Sequence, residues 1–229
     1  MIHAYLICEP ATAAPLPKRR GLRGAQLRAM TAEGLAAVYS SHRSFAASPE
    51  LVLAHERVIE AVMERGPVLP LRFGTRLEHE RDLVAFMGAR RAELLAAIDR
   101  VRGRVEMGLR VIPRVRRGGQ RDETSSGRAY LLERVEKHRL SERAKREVHL
   151  PLTRLATADV VATRVTPPAI LAASYLVPAD RVESFRTAAG RLAAGVAEVQ
   201  SFVTGPWPPY SFVALDETSA ASAASGHPG

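Results

Sequence analysis

The chain has 229 residues, enough for one large domain or two small ones, with 46% hydrophobic residues to bury a core and an ordinary 25% charged. Its net charge of +9, 33 Lys and Arg against 24 Asp and Glu, permits an anionic partner, but the cations are spread over many predicted helices and read as a solvated surface. The single cysteine, Cys8, excludes an intrachain disulfide, MIHAYLICEP lacks the layout of a secretory signal, and no stretch approaches about 18 uninterrupted apolar residues, so a cytoplasmic protein without a membrane span is expected.

In chain order, residues 2–8 (IHAYLIC) predict a strand, and residues 9–24, with three prolines, two glycines and four cations, predict a loop. Residues 34–41 predict a second strand. Ser48-Pro49-Glu50 opens a helix, with Ser48 as cap and Pro49 at the first helical position. Leu51, His55, Val58, Ile59 and Val62 follow helical spacing until Gly66-Pro67 stops it. A near-continuous apolar strand is expected from Val68 to Phe73. Residues 79–102 predict one helix with Leu83, Met87, Leu94, Ile98 and Val101 inward, and residues 103–113 a half-buried strand with Val105, Met107, Leu109 and Val111 on one face.

After a polar loop over 114–127, a long helical pattern runs from Arg128 to Thr163, with a kink or break expected at Pro151. Residues 169–177 predict a strand, followed by a helix capped by Asp180, whose stripe is Val182, Phe185, Ala189, Leu192, Val196 and Val199. Residues 200–203 and 210–215 read as closing strands, and the polar tail from Asp216 as disordered. Strands interleaved with helices in this order predict an α+β fold of two sandwiches, residues 1–102 and 103–215, with 216–229 as tail.

Catalytic signals are weak. His55-Glu56 and His79-Glu80 begin a zinc-protease pattern, but Ile59 and Leu83 stand where the second histidine belongs. No phosphate loop, dinucleotide fingerprint or nucleophile elbow occurs. Cys8 and His3, five apart on one strand, are expected on opposite faces. Neither an enzyme, a metal nor a cofactor is expected. Clusters at Lys18–Arg28 and Arg110–Arg121 raise nucleic-acid binding as the alternative, without the aromatic interleaving that strand binding uses.

Two stretches remain. Pro70 interrupts VLPLRFGT (68–75) and marks an edge or bulged strand, and Arg72 among apolar neighbours needs a partner if buried. GPWPPYSFV (205–213) places Trp207, Tyr210 and Phe212 in a stiff extended arm feeding a strand. With GRAYL at 127–131 and SYLVP at 174–178, these segments resemble the gas vesicle protein F/L family (GvpF/GvpL) over most of the chain. The resemblance implies a two-domain α+β accessory protein, ferredoxin-like in its N-terminal part. It implies a non-enzymatic protein that binds the hydrophobic, GvpA-like shell protein and other gas vesicle accessory proteins. Such a protein keeps the shell protein from aggregating during vesicle nucleation and is located in the cytoplasm and at gas vesicles. Docking through a free strand edge or an aromatic anchor suits such a holder. The candidates are Leu69, Leu71, Arg72, Phe73, Trp207, Tyr210 and Phe212, with core packing as the other reading of the same residues.

Overall fold

The computed structural model describes residues 1–42, 45–114 and 127–213, with the side chains of 127–130 outside the description. The expected loop over 114–127 and the expected tail therefore fall mostly outside the described residues. By contact density the chain divides into two compact units. One is Met1–Arg104 together with the chain from Trp207 onward, and the other is Val105–Pro206.

In the first unit β1 (Ile2–Cys8) leads through a four-residue helix, α1 (Pro10–Ala13), and a long loop into β2 (Arg28–Ala32), β3 (Leu35–Ser41), α2 (Pro49–Met63), β4 (Val68–Pro70) and β5 (Arg76–Leu77). Two helices, α3 (Glu80–Ala89) and α4 (Arg91–Val101), follow. The sheet has the order β2-β3-β1-β4, with β5 also on β1, and its pairs are antiparallel. Strand β2 lies between the loop expected over 9–24 and the strand expected over 34–41, where no element is expected. Its hairpin closes on Glu33 and Gly34, both at positive φ (55° and 78°). That is the backbone of a tight primed turn, and Glu at its first position hides the usual Asn-Gly signature.

A register shift between Ala4 and Leu6 places a bulge at Tyr5. The bulge resets the alternation of β1, so that His3 and Cys8 both face α2, His3 against His55 and Cys8 among Val58, Ile59 and Val62. The expectation of opposite faces fails for this reason. The other side of the sheet meets α3, where Tyr39 donates a 2.7 Å hydrogen bond to Glu80. The single helix expected over 79–102 is two, because Arg90 leaves helical backbone at φ −115°, ψ 18°. Gly88 weakens the preceding turn, and the break lets Leu83 and Met87, then Leu94 and Ile98, all reach full burial.

The second unit runs β6 (Arg104–Pro113), α5 (Gly127–Ala144), a π-helical turn (Lys145–His149), α6 (Leu150–Thr153), β7 (Ala158–Val161), β8 (Leu171–Pro178), α7 (Val182–Ala194) and β9 (Val199–Trp207). Its sheet order is β7-β8-β6-β9. Counted along each unit, both sheets read second-third-first-fourth, the split βαβ order of ferredoxin-like folds. The long helix expected to Thr163 ends at Thr153. The π-turn widens the backbone just before Pro151, accommodating a residue that lacks the N–H and crowds the preceding turn. Residues 158–161 pair with β8 instead.

The predicted cap at Asp180 is also displaced. Ala179–Arg181 is a 3₁₀ turn, and α7 starts at Val182 without a side-chain cap. The stripe nevertheless does its work: Phe185, Ala189, Val196 and Val199 are buried and Val182 and Leu192 partly so, and with Leu140, Ala144, Val148 and Leu152 they close on Met107, Leu109, Val111 and Tyr175 in one core. No helix of the described residues is long and apolar enough to cross a membrane.

Candidate functional site

The VLPLRFGT stretch contributes β4, which among the described residues pairs only with β1 and forms one edge of the first sheet. An edge is where Pro70 is tolerated. The strand is shorter than the predicted 68–73, because the chain turns at Arg72. There the Arg72 carbonyl accepts from the Thr75 N–H (3.1 Å) and the Thr75 hydroxyl (2.8 Å), with Gly74 at φ 98°. Leu69 and Leu71 are buried and Arg72 is exposed, so its guanidinium needs no internal partner.

Behind this turn lies a polar core. His55 donates from Nε2 to the Leu71 carbonyl at 2.9 Å, which fixes its Nδ1 as an acceptor, and His3 donates to that Nδ1 from Nε2 at 2.9 Å. The Nδ1 of His3 is then an acceptor, buried and without a partner among the described residues. Phe73 packs its ring against both imidazoles, with centroids 5.7 Å and 5.8 Å away. Burial pushes the pKa of His55 down to about 4. Burial, then repulsion from His55, His42 and Arg76, takes that of His3 to about 3. Both imidazoles are therefore neutral structural clips for the motif.

The aromatic arm closes the same unit. Pro206 and Trp207 end edge strand β9, and Tyr210–Phe212 forms a 3₁₀ turn, with Tyr210 N–H donating to the Pro208 carbonyl (2.8 Å) and Phe212 N–H to that of Pro209 (3.1 Å). The strand expected at 210–215 is absent over its described part, since three residues held by two prolines curl before any ladder partner is met. Tyr210 donates to Glu56 on α2 at 2.8 Å and packs on the cluster holding Val58, Ile59 and Val62. Burial raises the pKa of Glu56, and burial together with Glu56 raises that of Tyr210. Phe212 is buried, while Trp207 keeps 45% of its surface exposed. Of the seven candidates, Arg72 and Trp207 offer open surface, and Leu69, Leu71 and Phe212 sit in the core.

Sequence reading missed the most open apolar group. Leu131, Leu132 and Val135 on α5 are 60%, 61% and 66% exposed. The buried line of this helix continues through Leu140, Ala144 and Val148. Leu131 and Val135 precede Leu140 by nine and five residues, which at about 100° per residue places them roughly 180° and 140° around the helix, away from its core. Leu132 and Val135, three apart beside Leu131, were a readable signal. Among the described residues no group of three His, Cys, Asp or Glu side chains converges as metal ligands.

The family described as gas vesicle synthesis protein GvpL/GvpF matches residues 1–214. Gas vesicle protein F2 of Halobacterium salinarum is 30% identical over 166 residues, 71% of this chain and 67% of that protein. Gas vesicle protein L of a Streptomyces species is 30% identical over 187 residues, 72% of this chain and 69% of that protein. The fold matches crystal structures of GvpF from Anabaena sp. PCC7120 (TM-score 0.76, 18% identity, 94% of this chain and 97% of that one) and from Microcystis aeruginosa (TM-score 0.72, 18% identity, 93% and 99%). The chain belongs to the GvpL/GvpF family of gas vesicle proteins.

Proposed function

We propose that this protein is a non-enzymatic accessory factor of gas vesicle formation that binds the hydrophobic shell protein in the cytoplasm and keeps it from aggregating until it is incorporated. The observation that carries this reading is the solvent-facing apolar strip Leu131, Leu132 and Val135 on α5. A chain that builds a gas-tight wall presents apolar surface while soluble, and an exposed apolar helix face is a fitting cover for it. Arg72 and Trp207 are the accessible members of the expected contact set, while Leu69, Leu71 and Phe212 are buried and Phe73 and Tyr210 half-buried. The two compact units act as domains, with the boundary near residue 104 and the aromatic arm returning to the first. Family membership favours this reading over a nucleic-acid one.

The test is co-expression with the shell protein, followed by size-exclusion chromatography. The expected result is soluble shell protein eluting with this chain, and loss of co-elution on Leu131→Lys/Val135→Lys with an unchanged melting temperature. Failure of the wild-type pair to co-elute overturns the holder role. Co-elution that survives the double substitution moves the contact off α5.

A further inference from the structure

We propose that Lys18, Arg19, Arg20 and Arg23, on the loop between α1 and β2, form a docking surface for an acidic segment of a partner protein. This surface is separate from the apolar contact proposed above. Residues 10–32 contain five cations, Lys18, Arg19, Arg20, Arg23 and Arg28, and neither an acidic nor an aromatic residue. Arg28 is engaged by Glu80 at 3.6 Å. The other four are exposed, with no ion pair or hydrogen bond among the described residues.

Elsewhere many arginines are neutralised locally. Arg102 binds Glu9 and Asp99, Arg139 binds Glu136 and Glu198, Arg143 binds Glu147 and Glu198, and Arg90 binds Glu93. The loop is thus a local concentration of unneutralised charge.

The loop is also held in place. Leu22 is fully buried between Arg20 and Arg23, and its N–H donates to the Tyr5 hydroxyl at 2.8 Å. That hydroxyl lies 2.6 Å from Ser40 Oγ, which in turn lies 2.6 Å from His42 Nε2. Leu27 is buried, the Gly21 N–H donates to the Ala25 carbonyl at 2.8 Å, and the Arg65 guanidinium donates to the Pro15 carbonyl. Arg23 sits in left-handed backbone at φ 51°. With Leu22 plugged into the core, its flanking arginines are directed outward without the ordering cost of a free loop.

Three of the four cations are guanidinium forks, which suit carboxylates in bidentate fashion. From Lys18 to Arg23 the chain spans at most about 18 Å, the reach of a short run of acidic residues. Nucleic acid fits less well. The stretch offers no aromatic ring on which a base stacks and no helix or ribbon to enter a groove. A lipid surface fits less well too, since Leu22 and Leu27 are turned inward and leave no apolar anchor.

Gly21 separates charge from architecture. A Cβ there would stand 2.3 Å from the Tyr5 hydroxyl, so Gly21→Ala dislodges the plug and leaves every cation in place. The experiment titrates the full chain against a labelled oligoglutamate peptide at low salt by fluorescence anisotropy. A single-stranded oligonucleotide of equal charge is titrated in parallel. The expected result is peptide binding that weakens about ten-fold in Arg19→Ala/Arg20→Ala/Arg23→Ala, and by less than about two-fold in Arg154→Ala/Arg164→Ala/Arg181→Ala, which removes the same charge from exposed sites elsewhere. Gly21→Ala is expected to weaken binding despite its unchanged charge. Equal losses in both triple variants mean attraction by net charge alone and overturn the proposal. So does tighter binding of the oligonucleotide with the same arginine dependence, which marks a nucleic-acid surface. Loss of oligoglutamate binding leaves co-elution with the shell protein untouched, so the two readings fail separately.

Discussion

Acidification from about pH 7.5 to pH 5.5 is expected to destabilise the first unit through His3 and His55. Both are buried, and both titrate below their unfolded value of about 6.5, at about 3 and about 4. The unfolded chain therefore binds protons in this window that the native chain refuses. The stabilisation is complete above the unfolded value and is lost as pH falls toward the native ones. At pH 5.5 each histidine has cost about 1.4 kcal/mol relative to pH 7.5, or about 3 kcal/mol for the pair. Glu9, Glu93, Glu142 and Glu198, whose pKa values are lowered by hydrogen bonds, lose their contribution only in more acidic solution. Glu56, raised by burial, acts in the opposite sense, so the informative quantity is a difference. Urea unfolding followed by Trp207 fluorescence reports on this unit, because Trp207 is the chain's one tryptophan and groups with the first unit by contact density. In His55→Gln, whose amide can still donate to the Leu71 carbonyl, the pH-dependent loss should shrink by about 1.4 kcal/mol, the share of one histidine. An unchanged loss would refute the claim that the buried pair carries it.

Phe212→Ala should cost about 3 kcal/mol and Trp207→Ala below about 1 kcal/mol, since the first empties a buried site and the second trims a half-exposed one; denaturation followed by circular dichroism orders the two, and the reverse order refutes this account of the arm. Tyr210→Phe removes only the hydroxyl that donates to Glu56 and should cost about 1–2 kcal/mol in the same assay. Cys8, whose thiol is fully buried and pushed up to about 12 by that burial, should resist an aromatic disulfide reagent in native buffer and react at once in denaturant; fast native labelling would contradict its position beneath α2.

Periodicity was readable wherever one face of an element meets a core. Helix α2 begins at the predicted Ser48 cap, whose Oγ accepts from the Leu51 N–H at 3.4 Å, and β6 buries the predicted Met107, Leu109 and Val111. What escaped depends on backbone states that composition does not announce. A glutamate at positive φ hid β2, a bulge at Tyr5 reversed the facing of Cys8 relative to His3, and Arg90 broke a helix whose stripe runs on across the break. At the candidate site, alternation over Tyr210, Phe212 and Ala214 mimicked a strand, although two prolines curl the chain into a 3₁₀ turn. The strip on α5 was missed because a stretch dense in Glu, Arg and Lys draws the eye to ion pairs such as Glu133–Lys137 at 2.7 Å rather than to the leucines beside them.

The hydrogen bond from Tyr210 to Glu56 joins residues 154 apart in sequence, and this sets an order of events during synthesis. The ribosome delivers β1 through α4 first, but the side chains that finish that unit, Tyr210 and Phe212, emerge only after the whole second unit has been made. Until then the Glu56 side of α2 faces solvent unsealed, and the nascent N-terminal half waits in an incomplete form. Closing so long a loop costs only a logarithmic entropy, so completion is swift once the arm arrives. The arm thereby acts as a latch that closes the first unit only once the second unit has been made.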